Sequence, residues 1–285
     1  MAHKNKENIS PYTTRQKQRA AFSKSGSGKA QPEKQLLGRH RRPDKIFSLE
    51  EANDRLYDLF RNHQFSHITH EQRRQLAHFY VLLMENQEKQ NFTRLTDLRD
   101  IGIRHFIDCM ILAQLTDFAF PLIDVGTGPG FPGIPLKILF PQDKIILAEG
   151  VQKRVEFLKT VREEMKLQQL DIIGRNINPF FVYPVQSVIT RAVEDVRNTL
   201  GNVVNALQTG GRVFLMKGPN VDPEIKVASE VWGEYYQLEK DIAYTLPGTS
   251  HDRRLLIYRK TKMHPLPDFE EELDMEYNRD KDDEN

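Results

Sequence analysis

The spacing of large apolar residues changes near residue 118 of the chain. Before this point they recur at every third or fourth position, which is typical of helices that bury one face. After it they form short runs separated by glycine, proline and polar residues, which is typical of buried strands alternating with helices. The pattern predicts an α-helical N-terminal part, residues 46–118, followed by an α/β domain, residues 119–262.

The N-terminal part contains three segments with helical spacing. Ser48 is a candidate N-cap for the first helix, and Thr69 with Gln72 forms a capping-box pattern at the start of the second. The third segment covers residues 101–115. The apolar stripes of the first two helices are interpreted as core positions: Leu49, Ala52, Leu56, Leu59, Phe60, Leu76, Phe79, Tyr80, Leu83 and Met84.

The α/β domain is predicted to hold a parallel sheet with helices on its faces and an antiparallel closing pair of strands. The predicted strands are residues 121–125, 145–149, 171–173, 185–189 and 212–216, then 239–246 and 254–258 for the closing pair. Helices are predicted from Pro135 and around residues 155–165 and 193–207. Ligands of such sheets bind beyond the carboxyl ends of the strands, where Gly126, Glu149, Arg191 and Lys217 fall.

A glycine-rich loop follows the first strand and is interpreted as a binding loop. Gly126, Gly128 and Gly130 allow a sharp turn and a close approach of a ligand to backbone amides. The loop has no lysine, which disfavours a triphosphate, because the Walker loop ends in Gly-Lys-Ser/Thr. Phe131 stands where the dinucleotide fingerprint requires its third glycine, which disfavours a pyrophosphate.

Two acidic residues at strand ends point to a different ligand. Glu149 ends the second strand, where a carboxylate accepts hydrogen bonds from both ribose hydroxyls. Asp124 precedes the loop and, together with it, suits a cationic amino-acid group. A ligand with a ribose and a cationic amino-acid portion is S-adenosylmethionine, which is the cofactor we expect.

At these residues the chain resembles the RsmG (GidB) family of bacterial ribosomal RNA methyltransferases. The resemblance covers roughly positions 48 to 260, and the matching segments are residues 91–94, 104–108, 124–136, 149–158, 189–192 and 217–218. It implies a class I S-adenosylmethionine-dependent methyltransferase fold, Rossmann-like, with an α-helical N-terminal part. It also implies methylation of N7 of a guanine in small-subunit (16S) ribosomal RNA, with that RNA or the assembling small subunit as partner.

The resemblance and the strand ends together give a set of candidate site residues. Cofactor binding is expected at Asp124, Gly126, Gly128, Gly130, Phe131, Glu149, Ile177, Asn178 and Arg191. RNA binding is expected at Arg94, Arg104, Lys153, Arg154 and Lys217, with Phe131 or Phe92 as a platform for a flipped base. No catalytic acid or base is expected, because guanine N7 has a lone pair and no proton to remove. Arg191 and Lys217 are therefore expected to position the reactants.

His105 and Asp108 lie three residues apart, so a helix would place them on one face. We interpret them as a pair that holds this helix in place, and a catalytic His–Asp couple is the alternative. Residues 178–181 lack the second proline of the Asn-Pro-Pro-Tyr/Phe loop used by amino-group methyltransferases. Cytosine C5 methylation is disfavoured because Cys109 lies far from the fourth strand.

The net charge of +1 conceals oppositely charged ends. Residues 1–45 contain 12 Lys/Arg against 3 Asp/Glu, and residues 268–285 contain 2 against 10. We expect a disordered basic arm, residues 1–45, that contacts RNA or has no role, and a disordered acidic tail, residues 263–285. The single cysteine excludes an internal disulfide and a multi-cysteine metal site, so no metal is expected.

No apolar run approaches the ~18 residues of a membrane span, so no membrane-spanning helix is expected. We further expect a cytoplasmic protein that acts as a monomer. Two alternatives to the guanine-N7 enzyme stay open at this point. One is a methyltransferase of another RNA base or of a small molecule. The other is a non-catalytic RNA-binding protein of ribosome assembly that keeps the cofactor pocket only as part of its fold.

Overall fold

The computed structural model describes residues 42–191 and 193–266 of the chain. The N-terminal part holds helices α1 and α2 and a helical segment in which a π-helical turn, Gly102–Ile107, separates α3 from α4 and α5. Seven strands and four further helices follow. In chain order the elements are α1 Leu49–Asn62, α2 His70–Gln90, α3 Leu98–Ile101, α4 Asp108–Met110, α5 Leu112–Leu115, β1 Leu122–Val125, α6 Gly133–Leu139, β2 Ile145–Ala148, α7 Gln152–Glu164, β3 Leu170–Ile173, β4 Val185–Arg191, α8 Val196–Asn202, β5 Leu207–Lys217, α9 Asp222–Trp232, β6 Tyr236–Thr245 and β7 Asp252–Lys260.

The seven strands form one sheet in the order β3-β2-β1-β4-β5-β7-β6. The first five strands are parallel, and β7 lies antiparallel between β5 and β6. The predicted parallel sheet and antiparallel closing pair are thus confirmed. The carboxyl ends of the parallel strands lie at one edge, which brings the ends of β1, β2 and β4 together.

Successive residues of each strand point to opposite faces of the sheet and enter two separate hydrophobic clusters. Leu122 of β1 and Phe214 of β5 pack with the N-terminal helices, α6 and α7. Ile123 and Leu215, their neighbours in sequence, pack with α8 and α9 on the opposite face. The N-terminal helices and the sheet therefore share one hydrophobic core. The change of sequence pattern near residue 118 falls within a single packed unit.

Both predicted helix starts are confirmed. The Ser48 side chain accepts a hydrogen bond from the Glu51 amide at the start of α1. At the start of α2, the Thr69 hydroxyl accepts from the Gln72 amide and the Gln72 side chain accepts from the Thr69 amide. The third predicted helix is not continuous, because a π-helical turn interrupts it. Such turns often occur at functional sites.

Several element bounds differ from those that the sequence predicts. Helix α8 ends at Asn202 instead of near Leu207, and β5 begins at Leu207 instead of Arg212. Helix α9 was not predicted. Helix α9 begins with Asp222 and Pro223, and only its residues Ala228 and Trp232 are buried.

The predicted basic arm and acidic tail lie outside the described residues, apart from residues 42–45 and 263–266. The predicted parts 1–45 and 263–285 can therefore not be compared with the structure over most of their length. Among the helices that the structure describes, none is both long and apolar enough to cross a membrane.

The capping box of α2 gives a prediction about stability. Thr69→Ala removes the acceptor of the Gln72 amide and is expected to lower the free energy of unfolding by about 1 kcal/mol. Urea unfolding measures this difference. Ser66→Ala, at an exposed turn, is the control and is expected to change stability by less than about 0.5 kcal/mol. Equal stability of the two variants would contradict a contribution from the cap.

Candidate active site

The glycine-rich loop between β1 and α6 folds over the end of β2. The amides of Gly126 and Thr127 both donate to the Ala148 carbonyl, at 2.9 and 3.1 Å. Gly126, Gly128 and Gly130 have φ angles of +68°, +61° and +116°, which other residues rarely adopt. A Cβ on Gly128 would meet no atom within 4 Å. The loop is thus open at Gly128, where a ligand can reach the backbone.

Asp124 stabilises this loop from below. It is fully buried, and its Oδ2 accepts hydrogen bonds from the Thr127 hydroxyl at 2.6 Å and from the Gly133 amide at 2.7 Å. Burial raises the pKa of Asp124 to about 7, and these two donors oppose the shift. The carboxylate therefore joins the start of the loop to the start of α6. The cofactor contact predicted for Asp124 is not part of this geometry, because no surface of the residue is exposed.

Glu149 joins the loop to α7. Its Oε2 accepts from the Gly128 amide at 2.9 Å, and its Oε1 accepts from the Val151 amide at 2.8 Å. Arg154 Nη1 lies 3.5 Å from the same Oε1. Since each carboxylate oxygen accepts two hydrogen bonds, Oε1 is fully engaged and Oε2 keeps capacity to accept from one ribose hydroxyl. The side chain thus lies where the sequence places the ribose.

A cavity of about 300 Å³ opens beside the loop. Gly126, Ala148, Ile177, Thr190 and Val193 lie around it, together with residues of α8. The Thr190 hydroxyl is buried and has no hydrogen-bond partner within the described part of the chain. The volume lies at the lower end of small-molecule sites, which suits a nucleoside-sized group.

Ile177 lines this cavity as predicted, whereas Asn178 does not. The Asn178 side chain accepts a hydrogen bond from the Phe180 amide at 3.1 Å and closes its own turn. Asn176 lies on the cavity instead, and the sequence analysis missed it. A Cβ on Gly150 would lie 2.2 Å from the Asn176 side chain, so the two residues are in close contact. No spacing in the sequence indicates this contact.

A second group of side chains lies behind the loop. The Phe131 ring stacks on His105 with centroids 4.4 Å apart, and the Arg191 guanidinium lies 5.2 Å from the Phe131 centroid. Arg191 also donates to His105 Nδ1 at 3.1 Å and to the Arg104 carbonyl at 3.3 Å. Arg191 thus joins the end of β4 to the π-helical turn and to the loop.

His105 is a neutral residue in this group. Because arginine can only donate, Nδ1 is the acceptor, and Nε2–H donates to the Thr93 hydroxyl at 2.9 Å. Burial, assisted by Arg191, lowers the pKa of His105 to about 3. Both ring nitrogens are engaged and neither contacts Asp108, so the geometry does not form a catalytic His–Asp couple.

The prediction that Phe131 or Phe92 stacks on a base is corrected by the structure. Phe131 is 3% exposed and packs on Phe79, with centroids 5.2 Å apart. Phe92 is 8% exposed and packs on Phe157 at 4.4 Å. Both rings lie in the hydrophobic core, because burying an aromatic ring is strongly favourable. For Phe131 this placement also leaves little surface for the predicted cofactor contact.

The five predicted RNA-binding cations have different surroundings. Arg94 and Lys153 are exposed, and Arg104 and Arg154 are partly buried. The Lys217 side chain is only 9% exposed; its Nζ donates to Glu224 at 2.8 Å and to the Glu194 carbonyl. Glu224 also accepts from the Val196 amide. Lys217 thus stabilises the start of α8, and little of its side-chain surface is exposed to contact RNA.

The fold and the site together define a class of protein. An antiparallel seventh strand between the fifth and sixth, a glycine-rich loop after β1 and an acidic residue after β2 are the features of a class I S-adenosylmethionine-dependent methyltransferase. The open loop at Gly128 and the Glu149 carboxylate bound to it suit the amino-acid and ribose portions of that cofactor, and the adjoining cavity with the unpartnered Thr190 hydroxyl suits its base.

Comparison with known proteins gives the family. The family model GidB, rRNA small subunit methyltransferase G, matches residues 72–256. Ribosomal RNA small subunit methyltransferase G 2 of Bdellovibrio bacteriovorus is 63% identical over 235 residues, 82% of this chain and 92% of the relative. The corresponding protein of Carboxydothermus hydrogenoformans is 35% identical over 196 residues, 66% of this chain and 83% of that one. The chain belongs to the rRNA small subunit methyltransferase G family.

Solved structures of methyltransferases are also similar to the chain. TrmN from Thermus thermophilus is similar over 56% of this chain and 53% of its own, with 16% identity and a TM-score of 0.44. The tRNA (m1A58) methyltransferase TrmI from Aquifex aeolicus is similar over 55% of this chain and 69% of its own, with 16% identity and a TM-score of 0.42.

The buried neutral His105 predicts a pH dependence of stability. Its pKa is lower in the folded chain than in the unfolded chain, so the unfolded chain binds more protons between about pH 3 and 6.5. The free energy of unfolding is therefore expected to fall as the pH falls through this window, by up to about 1.4 kcal/mol per pH unit from this residue.

Urea unfolding at pH 7 to 4 tests this dependence in His105→Gln, which lacks the titrating group. The stability of the wild type is expected to fall more steeply than that of the variant. His70→Gln, at an exposed position, is the control. Parallel curves for the wild type and His105→Gln would contradict the depressed pKa.

Proposed function

We propose that this chain transfers a methyl group from S-adenosylmethionine to N7 of a guanine in small-subunit (16S) ribosomal RNA. The observation that carries the proposal is membership of the rRNA small subunit methyltransferase G family, matched over the whole region that forms the cofactor loop and cavity. The substrate is the RNA alone or within an assembling small subunit. We propose further that the chain acts as a monomer in the cytoplasm.

The proposed cofactor contacts follow the geometry of the loop. The backbone from Gly126 to Gly130 would hold the amino-acid portion, supported from below by Asp124. Glu149 would accept from a ribose hydroxyl, and Ile177 and Thr190 would contact the adenine. When bound, the cofactor supplies an electrophilic methyl group on a sulfonium.

The residues of the chain need to supply no proton transfer in this reaction. Guanine N7 attacks with a lone pair, so rate enhancement comes from alignment of the reactants and exclusion of water. His105 agrees with this requirement because both of its nitrogens are engaged in hydrogen bonds. We assign Arg191 a positioning role, since it contacts Phe131 of the loop and His105 of the π-helical turn.

RNA binding is proposed for cations at the rim of the site and for the basic N-terminal arm. Arg94 and Lys153 are exposed, and the partly buried Arg104 and Arg154 lie near Arg191 and Glu149 respectively. Lys217 is retained only as a positioning residue, through Glu224. The basic arm, residues 1–45, is proposed to add phosphate contacts that depend on salt.

The buried thiol of Cys109 disfavours cytosine C5 methylation, the alternative that needs a cysteine nucleophile. Cys109 has no exposed surface, and burial raises the pKa of its thiol. A thiol that is neither accessible nor ionised is a poor nucleophile. The guanine-N7 reaction needs no such group.

The Glu149 carboxylate gives a prediction about cofactor affinity. Glu149→Gln keeps the shape of the side chain but removes its charge and one acceptor. Loss of the charge-assisted hydrogen bond to the ribose is expected to weaken S-adenosylmethionine binding about 10- to 100-fold, as measured by titration calorimetry. Glu156→Gln on the exposed face of α7 is the control. Unchanged affinity in Glu149→Gln would contradict the proposed ribose contact.

Methyl transfer from labelled cofactor to small ribosomal subunits that lack their own N7 methylation tests the function itself. The product RNA is mapped for base-labile N7-methylguanine, and label at a single guanine is the expected result. Label at another base or on a small molecule would identify a different methyltransferase. Cofactor binding without any transfer would support a non-catalytic assembly protein.

A further inference from the structure

A buried carboxylate lies between two arginines that belong to different strands. Asp108 is 3% exposed and follows the π-helical turn that covers one face of the sheet. Its Oδ2 lies 3.6 Å from Arg191 Nη1, and its Oδ1 lies 3.3 Å from Arg253 Nε. Burial raises the pKa of Asp108, and both arginines oppose the shift. The carboxylate thus joins the end of β4 to the start of β7.

The pleat of the sheet explains why both arginines point toward Asp108. Ile189 and Leu255 pack on the face that the N-terminal helices cover, so residues two positions away, Arg191 and Arg253, share that face. Strand β5 lies between β4 and β7, so the two arginines come from strands about 10 Å apart. Asp108 lies in the helical layer over this face, and its carboxylate contacts both arginines.

Arg253 and its neighbour Arg254 have different environments. Arg254 points to the opposite face, where Asp241 and Asp222 both accept hydrogen bonds from it. The Arg253 side chain is 25% exposed. Its Nε contacts Asp108 and its Nη1 donates to the Asp252 carbonyl, whereas its Nη2 has no partner among the residues that the structure describes. Arg253 thus keeps free donors near solvent.

Two arginines share the Asp108 carboxylate, while His105 is neutral. Arg191 lies beside Phe131, behind the cofactor loop, and also interacts with the buried Asp124. The donors that remain for a ligand are those of Arg253, at the edge of the sheet where ligands bind. A phosphate of the RNA backbone is the group that complements a guanidinium with two free donors at such a position.

We propose that Asp108 is a positioning residue that holds Arg253 beside the cofactor site, so that the free Nη2 donors of Arg253 bind a phosphate of the RNA substrate. This inference depends on the proposed function for the identity of the substrate. It assigns Arg253 to RNA binding and Asp108 to the orientation of Arg253. Asp108 itself does not touch the RNA.

The test compares Asp108→Asn, Arg253→Gln and the double variant. Each single change is expected to raise the KM for small-subunit RNA roughly tenfold. In Arg253→Gln, kcat and S-adenosylmethionine affinity are expected to stay unchanged; Asp108→Asn is judged on RNA affinity alone, because Asp108 also contacts Arg191. Because Asp108 orients Arg253, the double variant is expected to bind the RNA no more weakly than Arg253→Gln. Filter binding of the same RNA at several salt concentrations is expected to show a salt slope lower by roughly 0.7 in Arg253→Gln.

Asp241→Asn is the matched control, because it neutralises one of the two carboxylate partners of Arg254, the neighbouring arginine, on the other face. The inference is overturned if Asp108→Asn weakens RNA binding no more than Asp241→Asn does. It is also overturned if the losses of RNA affinity from Asp108→Asn and Arg253→Gln add in the double variant. Wild-type RNA affinity in Arg253→Gln overturns it even where Asp108→Asn fails to fold.

The filter-binding measurement separates this inference from the proposed function. If the wild type binds the RNA but transfers no methyl group, the proposed function fails, and the variants still show whether Arg253 and Asp108 bind as proposed. If the wild type does not bind the RNA at all, both fail together.

Discussion

The cofactor site depends on one buried carboxylate beneath the glycine loop. Asp124 accepts hydrogen bonds from Thr127 at the start of the loop and from Gly133 at the start of α6. These two bonds fix the loop at both ends, and the Gly128 amide between them then reaches Glu149. Both bonds of Asp124 go to Oδ2, whereas Oδ1 has no hydrogen-bond partner among the described residues. Because a buried carboxylate is costly unless it accepts hydrogen bonds, the loop and Asp124 stabilise each other through Oδ2. The geometry at the ends of β1 and β2 follows from this arrangement.

The site is completed by elements that come from distant parts of the chain. Arg191 at the end of β4 contacts the π-helical turn through His105 and the loop through Phe131. Asp108, in the same helical segment, extends this group to β7 through Arg253. The helical segment before the sheet therefore supplies the contacts of Arg191 with Arg104, His105 and Asp108, although its sequence pattern resembles that of an ordinary buried helix.

The sequence predicted the sheet, the glycine loop and the position of Glu149, because each depends on local patterns such as apolar runs and strand ends. It did not predict that Phe131 is buried, since this depends on contact with Phe79 of α2, about fifty residues earlier. Lys217 was expected to bind RNA because it follows a strand and matches the family, and its partner Glu224 lies on a helix that was not predicted. Long-range contacts thus account for the differences at both residues.

The shared core of the N-terminal helices and the sheet has a consequence for the shape of the cofactor loop. Phe79 of α2 packs directly on Phe131 of the glycine loop, and both belong to the cluster that covers one face of the sheet. The outer wall of the cofactor loop is therefore part of the helical layer. A substitution in the core of α2 would reach the loop through two aromatic rings in contact, although α2 contributes no residue to the cavity.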